Sequence, residues 1–142
     1  MSATHQRETH MATVRKEIAT SVPPADAWDA IRDFGALHTR LVRGFVTDTE
    51  LDGNDRIVTF ANGVKQREPL VSVDDDLRRL VYGAVDSPLG ATHYNASVQV
   101  FPDGDSGCRI DWVVDVLPNE LEPALDAAMG HGAAALKATL EA

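Results

Sequence analysis

The chain has 142 residues, with 22 acidic against 13 basic side chains and a formal net charge of −9 at pH 7. This length suits one ordinary domain whose core needs neither disulfides nor metal, and a single cysteine, Cys108, excludes a disulfide framework. The negative charge repels nucleic-acid phosphates and anionic lipids, which excludes most nucleic-acid and membrane-surface binders. No stretch approaches the roughly 20 apolar residues of a membrane span. We therefore expect a cytoplasmic protein with no nucleic-acid partner and no membrane insertion.

A disordered lead-in, a strand and a short helix are predicted first. Residues 1–11 are polar and lack periodicity, so the single domain is expected to cover residues 12–142. Residues 12–21 alternate imperfectly and end at two prolines, which stop a strand and can open a helix. Apolar side chains then recur at spacings of three and four over residues 25–34, which predicts an amphipathic helix. Gly35 ends it, and residues 36–42 suit a second short helical turn.

The middle of the chain is a run of predicted strands. Between residues 44 and 116 the apolar period falls to two, and turn-forming residues interrupt it at 51–55, 62–63, 74–76, 87–90 and 102–107. The alternation is cleanest over residues 92–101 and 108–116. Such alternation is typical of an antiparallel sheet with one buried face and one wet face.

One long helix closes the chain. Pro118 and Pro123 bracket its start, since proline is tolerated in a first turn, and an apolar stripe continues to Leu140. Residues 127–135 are mostly alanine and glycine. These small residues either let helix and sheet approach closely or leave a cavity, and both readings stay open. With only this helix to cover the strands, we expect an α+β fold in which the sheet curls around it.

Several motifs in this order resemble the START/birch-pollen-allergen-like (SRPBCC) superfamily, in its polyketide cyclase/dehydrase and lipid-transport branch. The first is the opening strand followed by Pro-Pro-Ala-Asp-Ala-Trp-Asp-Ala-Ile at residues 23–31. The others are the Arg-Glu-Pro-Leu strand at 67–70, the Asp-rich turn at 74–76, the Tyr94 strand and Cys-Arg-Ile-Asp-Trp at 108–112. The resemblance implies a helix-grip fold: a seven-stranded antiparallel sheet wrapped around the C-terminal helix, with two short helices between strands 1 and 2 closing a ligand cavity.

The plant abscisic-acid receptors are similar at a greater distance. Their acidic residue before an Asp-rich turn, their tyrosine two strands later and their basic cavity residue correspond to Glu68, Tyr94 and the vicinity of Arg43. Their gate-loop sequence is absent, because residues 61–64 are too short and different. We therefore do not expect this chain to share the hormone-sensing function of those receptors.

Glu68 and Arg43 are the first candidate site residues. If Glu68 shares the inward parity of Leu70, its carboxylate lies at an apolar wall. Burial would then raise the pKa of this carboxylate unless a nearby cation compensates its charge. Arg43 shares the parity of Phe45 and is the expected partner. The alternatives are a structural ion pair or two solvated charges.

Aromatic residues are the next candidates. Tyr82 and Tyr94 alternate with inward-facing neighbours, and a phenol at a cavity wall can bind a ligand carbonyl or hydroxyl, although core packing is equally common. We expect Trp112 to contact the cavity and Trp28 to pack the helix onto the sheet. The set of expected ligand-binding residues is Arg43, Glu68, Tyr82, Tyr94, Trp112 and Met129.

Catalytic and metal chemistry has less support. The histidines lack metal-ligand spacing, and no nucleophilic triad or phosphate-binding glycine loop is visible, so neither a metal nor a cofactor is expected. His38 falls where the family's second short helix lines the cavity mouth. It joins Glu68 and Tyr94 as a candidate acid or base.

Three functional hypotheses result. The first is binding of a hydrophobic or amphipathic small molecule, such as a lipid, polyketide or isoprenoid, between sheet and helix. The second is a cyclase, aromatase or dehydratase acting in the same cavity, and the third is a protein-interaction module with a vestigial cavity. A homodimer is compatible with each.

Overall fold

The structure, a computed structural model, describes residues 10–142. The predicted lead-in therefore lies almost entirely outside the described residues. No helix in the described part of the chain is long and apolar enough to cross a bilayer.

Seven strands and two α-helices form the domain. The strands are β1 (Ala12–Thr20), β2 (Val46–Asp52), β3 (Asp55–Phe60), β4 (Lys65–Asp74), β5 (Arg79–Gly83), β6 (His93–Asp103) and β7 (Gly107–Leu117). The helices are α1 (Pro24–Arg32) and α2 (Glu122–Leu140), with a 3₁₀ turn at Phe34–Ala36, a π-helical turn at Leu37–Leu41 and another 3₁₀ turn at Asn119–Leu121. Pro24 begins α1, as the tolerance of a first turn for proline predicts.

The strands form one antiparallel sheet in the order β1-β7-β6-β5-β4-β3-β2. Consecutive strands from β2 to β7 are neighbours, joined by short turns except for the longer β5–β6 loop at residues 84–92, while β1 pairs with β7. β1 and β2 thus lie at opposite edges of the sheet. Helix α1 and the two short turns after it make the connection between these edges.

The core lies between the sheet and α2. The helix buries Leu125, Met129 and Leu136, and β7 places Ile110 and Val114 in the same core. These strand residues alternate with half-buried ones, as expected for a sheet with one face covered. The predicted helix-grip architecture is confirmed, with seven antiparallel strands, a long C-terminal helix and short helical segments between the first two strands.

Two irregularities change which face a side chain occupies. The pairing of β2 with β3 shifts between Val46 and Asp48, and the pairing of β4 with β5 shifts between Leu70 and Ser72. An extra residue of this kind moves the following side chains to the other face of a strand. After the first shift, Thr49 pairs with Val58 and Leu51 pairs with Arg56, so both lie on the same face as these cavity residues, and Leu51, near the end of β2, is 62% exposed.

Candidate functional site

A cavity of about 590 Å³ lies between the inner face of the sheet and α2. Its walls are mostly apolar and come from the sheet, the π-helical turn and α2; they include Leu37, Leu41, Val58, Phe60, Val98, Leu125 and Leu136. Side chains of this kind favour the binding of an apolar molecule but do not fix its orientation.

The mouth of the cavity is marked by lining residues that are themselves exposed. The β3–β4 turn contributes Asn62 and Val64, the β5–β6 loop contributes Pro88, and α2 contributes His131. Two turns and one helix face therefore surround the opening. A ligand would pass between them to reach the interior.

A buried ion pair lies at the inner, polar end of the cavity. Arg56 on β3 is directly opposite Glu68 on β4, and its Nε donates to Glu68 Oε1 at 2.8 Å. Gln66, two residues before Glu68 and on the same face, donates through Nε2 to Glu68 Oε2 at 2.7 Å. Both carboxylate oxygens are thus hydrogen-bonded, which offsets much of the cost of burying the charge.

Aromatic rings cover the guanidinium of Arg56. Its central carbon lies 4.1 Å from the centroid of the Phe34 ring and 5.0 Å from that of the Tyr82 ring, and its Nη1 donates to the Phe34 carbonyl at 3.3 Å. Stacking on ring faces stabilises a cation electrostatically and limits its movement. The arginine is therefore held in one orientation.

Tyr82 on β5 links the polar end of the cavity to Trp112 on β7. Its hydroxyl accepts a hydrogen bond from Trp112 Nε1 at 3.1 Å. Burial raises the pKa of Tyr82 above its usual range, and the nearby negative charge of Glu68 raises it further. The phenol thus stays protonated at neutral pH and keeps its donor proton.

Tyr94 lines the cavity from β6. Burial raises its pKa well above the ordinary value, with smaller contributions from Tyr82 and Glu68, while a hydrogen bond with Gln66 acts in the opposite direction. The polar end therefore presents two neutral phenols beside one neutralised ion pair. Such groups can donate to and accept from a ligand carbonyl or hydroxyl.

The small residues of α2 serve both purposes left open by the sequence. A Cβ built at Gly132 would lie 3.0 Å from the Trp112 ring and 3.2 Å from the Phe45 ring, so this glycine permits close approach. Ala128, one helical turn earlier, lines the cavity instead. The same stripe thus allows contact at one level and leaves space at another.

The predicted pairing of Arg43 with Glu68 is wrong. Arg43 is exposed and donates through its Nε to the Thr39 carbonyl at 2.7 Å, while Arg56 occupies the position beside Glu68. The parity argument fails because Arg43 precedes β2 and Gly44, with a φ of +86°, interrupts the extended backbone between Arg43 and Phe45.

The other predicted residues are placed as follows. Glu68, Tyr82, Tyr94, Trp112 and Met129 all line the cavity. Trp28 does not; it is buried beneath α1, and its Nε1 donates to Asp75 at 2.9 Å.

His38 also lies outside the cavity lining. Its Nδ1 is 3.1 Å from the hydroxyl of Thr49 on β2, so the ring is directed at the edge strand. Its expected role as an acid or base acting on a cavity ligand therefore has no geometric support.

Arg56 and Gln66 were missed by the sequence analysis. Arg56 has the parity of Val58 and Phe60, and Gln66 has that of Glu68, so alternation alone places both on the inner face. The short turn at residues 61–64 would also have placed Arg56 opposite Glu68. The signal was present in the register of this hairpin.

Within residues 10–142 no three histidine, cysteine, aspartate or glutamate side chains are arranged to hold a metal ion. The polar side chains that line the cavity are two phenols, two amides, an indole, an imidazole, a carboxylate and a guanidinium.

Solved structures with this fold include proteins of several origins. A protein from Thermobifida fusca has 29% sequence identity and a TM-score of 0.75, with 92% of this chain and 91% of that chain covered. The protein XoxI from Bacillus cereus has 22% identity and a TM-score of 0.81, with 92% and 96% covered. Norcoclaurine synthase from Thalictrum flavum, in complex with dopamine and hydroxybenzaldehyde, has 23% identity and a TM-score of 0.68, with 96% and 92% covered.

A comparison with curated proteins finds no match. The family described as polyketide cyclase/dehydrase and lipid transport, in contrast, matches residues 11–141. This match spans both edges of the sheet, the cavity and α2. The chain belongs to the polyketide cyclase/dehydrase and lipid-transport family.

Proposed function

We propose that the protein binds a hydrophobic or amphipathic small molecule, of the lipid, polyketide or isoprenoid type, in the cavity between the sheet and α2. The observation that carries this proposal is the combination of a cavity of about 590 Å³, apolar walls and one polar end. A cavity of this volume is within the usual range for small-molecule sites. Family membership supports the same proposal.

Apolar burial would supply most of the affinity. At roughly 25 cal/mol per Å², a ligand that loses about 200 Å² of apolar surface to the walls gains about 5 kcal/mol before the costs of association. Tyr94 and Glu68 would then orient its polar group rather than provide the bulk of the energy. Arg56 takes the place proposed from the sequence for Arg43.

An enzyme of the cyclase, aromatase or dehydratase type is the second candidate. The observation that favours it is the position of two phenols, Tyr82 and Tyr94, in the cavity wall beside a buried carboxylate. A positioned phenol can act as a general acid toward a ligand carbonyl. The fold is also that of norcoclaurine synthase, whose complex holds two small aromatic molecules.

A protein-interaction module with a vestigial cavity is less well supported, because the cavity retains substantial volume. Assembly as a homodimer and a cytoplasmic location remain part of the proposal. The location rests on the single cysteine, which is buried.

Native mass spectrometry of the purified protein, followed by solvent extraction of any adduct, tests the binding proposal. We expect a stoichiometric hydrophobic adduct whose fragments identify its class. A protein that carries no adduct and binds none of a panel of lipids, polyketides and isoprenoids would contradict binding. Turnover of a bound polyketide-like molecule in the same panel would favour the enzyme.

A Tyr94→Phe variant tests the polar end. Loss of one neutral hydrogen bond should weaken binding of a carbonyl-bearing ligand by about 0.5–1.5 kcal/mol, with little change in the melting temperature. Isothermal titration calorimetry measures the first effect and thermal unfolding the second. The matched control is His93→Ala, which lies next to Tyr94 on the exposed face of β6; equal affinities in all three proteins would refute the role of Tyr94.

A further inference from the structure

We propose that the cavity selects ligands whose polar group is uncharged and discriminates against carboxylates and other anions. This inference rests on the proposed function and defines the chemical class of its ligand. It follows from the contacts that the two charged groups at the polar end, Arg56 and Glu68, already make within the protein.

The formal charges at the polar end cancel. Among the described residues that line the cavity, Arg56 and Glu68 are the only arginine, lysine, aspartate or glutamate side chains. They are 5% and 6% exposed and lie 2.8 Å apart. The cavity therefore offers no unpaired positive charge to a ligand anion.

Arg56 is also geometrically unsuited to bind a carboxylate. Recognition of a carboxylate by arginine commonly uses two parallel hydrogen bonds from the edge of the guanidinium. Here Nε is used by Glu68, Nη1 is used by the Phe34 carbonyl, and aromatic rings cover the guanidinium. A ligand carboxylate could therefore form the two parallel bonds that include Nε only by displacing Glu68.

The remaining groups favour neutral partners. The hydroxyls of Tyr82 and Tyr94 keep their protons at neutral pH, because burial raises the pKa of both. A neutral phenol can donate to a carbonyl or ether and exchange hydrogen bonds with an alcohol. Those bonds replace the hydration of a neutral group much more completely than they replace the hydration of an anion.

The net charge of the protein acts in the same direction. The chain carries −9 in total, so the field outside the cavity opposes the approach of anions. This effect is screened by salt, whereas discrimination inside the cavity is much less so. Measurements at high salt therefore separate the two contributions.

The test compares ligands that share an apolar body and differ in one group. Affinities of 1-decanol and decanoate, and of 2-naphthalenemethanol and 2-naphthoate, are measured by calorimetry at neutral pH and high salt. In at least one pair we expect the alcohol to bind tighter than the acid by a factor of about ten or more. In the other pair we expect the alcohol to bind no more weakly than the acid. Equal affinity, or preference for an acid, would overturn the inference while leaving binding itself intact.

Failure of both pairs to bind would instead count against the proposed function, and the inference would fall with it. The Glu68→Gln variant provides a second measurement, because it removes the negative charge that compensates the positive charge of Arg56. We expect its alcohol-to-acid affinity ratio to shift toward the acid by about tenfold. The matched control is Glu50→Gln, which removes the same charge from an exposed position on β2 and should leave the ratio unchanged; an equal shift in both variants would overturn the assignment to Glu68.

Discussion

Arg56 and Glu68 form the most constrained contact in the cavity. Burying two charges is expensive, and their attraction compensates only when the remaining donors and acceptors are satisfied. Here Gln66 occupies the second carboxylate oxygen, and Phe34 supplies both a ring face and a carbonyl to the arginine. Among residues 10–142 no fully buried side-chain nitrogen or oxygen lacks a hydrogen-bond partner. The pair is therefore a fixed part of the cavity wall.

The two tyrosines allow a direct spectroscopic test of this environment. Tyr82 and Tyr94 are the only tyrosines in the sequence, so tyrosinate absorbance at 295 nm reports the polar end alone. Because burial raises both pKa values, we expect no tyrosinate to form in the folded protein as the pH passes through 10. A protein unfolded in urea should titrate near the ordinary value of about 10.

The same shift links protonation to stability. A phenol whose folded pKa exceeds its unfolded pKa stabilises the fold fully below about pH 10, and that contribution is lost as the pH rises above it. Absorbance at 295 nm and loss of circular dichroism should therefore rise together in alkali. A tyrosinate signal that appears near pH 10 while the circular dichroism stays native would contradict the buried placement.

At the scale of elements, helix α1 is tied to the β4–β5 turn through one carboxylate. Asp75 accepts from Trp28 Nε1 and from Arg32 Nε, both at 2.9 Å, and these contacts lower its pKa. A lowered folded pKa gives a stabilisation that is present above the unfolded value, near 3.8, and is lost as the pH falls below it. The contact is exposed, so we expect a small effect.

An Asp75→Asn variant should accordingly be less stable than the original protein at neutral pH. The difference in the free energy of unfolding should decrease as the pH falls below about 3.8 and Asp75 becomes protonated. Urea unfolding across this pH range measures it. Asp76→Asn, in the same turn and also exposed, is the control, and a difference of the same size for both variants would indicate a nonspecific charge effect.

Helix α2 contains two glycines with opposite surroundings. A Cβ at Gly130 meets nothing within 4 Å, whereas one at Gly132 meets the Trp112 ring at 3.0 Å. Gly130→Ala should therefore stabilise the protein by about 1 kcal/mol through helix propensity. Gly132→Ala should gain less or lose stability, because Trp112 must move toward the cavity.

Chemical denaturation and ligand titration together measure the consequence. We expect Gly132→Ala to bind bulky ligands less tightly than Gly130→Ala, since the displaced indole occupies part of the cavity. Equal stability and equal affinity in the two variants would show that the contact of Trp112 with α2 does not limit the cavity.

The order of elements was predictable because turn residues and apolar periodicity are local signals. The hairpins at residues 51–55 and 62–63 and the proline-initiated helix follow directly from them. The partner of Glu68 was not predicted, because it depends on register. Alternation does not extend back from Phe45 to Arg43, because Gly44 between them has a positive φ, whereas the short turn before Lys65 fixes Arg56 opposite Glu68.

The position of the cavity itself was less predictable. Alanine and glycine on α2 are equally compatible with close packing and with empty space, and only the path of the sheet decides between them. At Gly132 the sheet contributes a large indole, whereas Ala128 lines the cavity. Sequence periodicity identifies the face of the helix but not the distance to the opposite wall.

For the molecule as a whole, the cavity is a region where packing is incomplete. A core of this size would normally be filled, and each buried methylene contributes about 0.8 kcal/mol. The protein therefore forgoes stability at the site that we propose for its ligand. A substitution that fills the space should raise the stability of the protein and weaken ligand binding.

Ala128→Leu adds three carbons to a residue that lines the cavity from α2. We expect it to raise the free energy of unfolding of the ligand-free protein by about 1 kcal/mol, because the added carbons enter an apolar space. Ligand affinity should fall, since the same space is no longer available. Ala127→Leu, on the exposed side of α2, should change neither quantity appreciably. If Ala128→Leu instead lowers stability while binding is retained, the added side chain clashes with the wall, and the space beside residue 128 is not where the ligand lies.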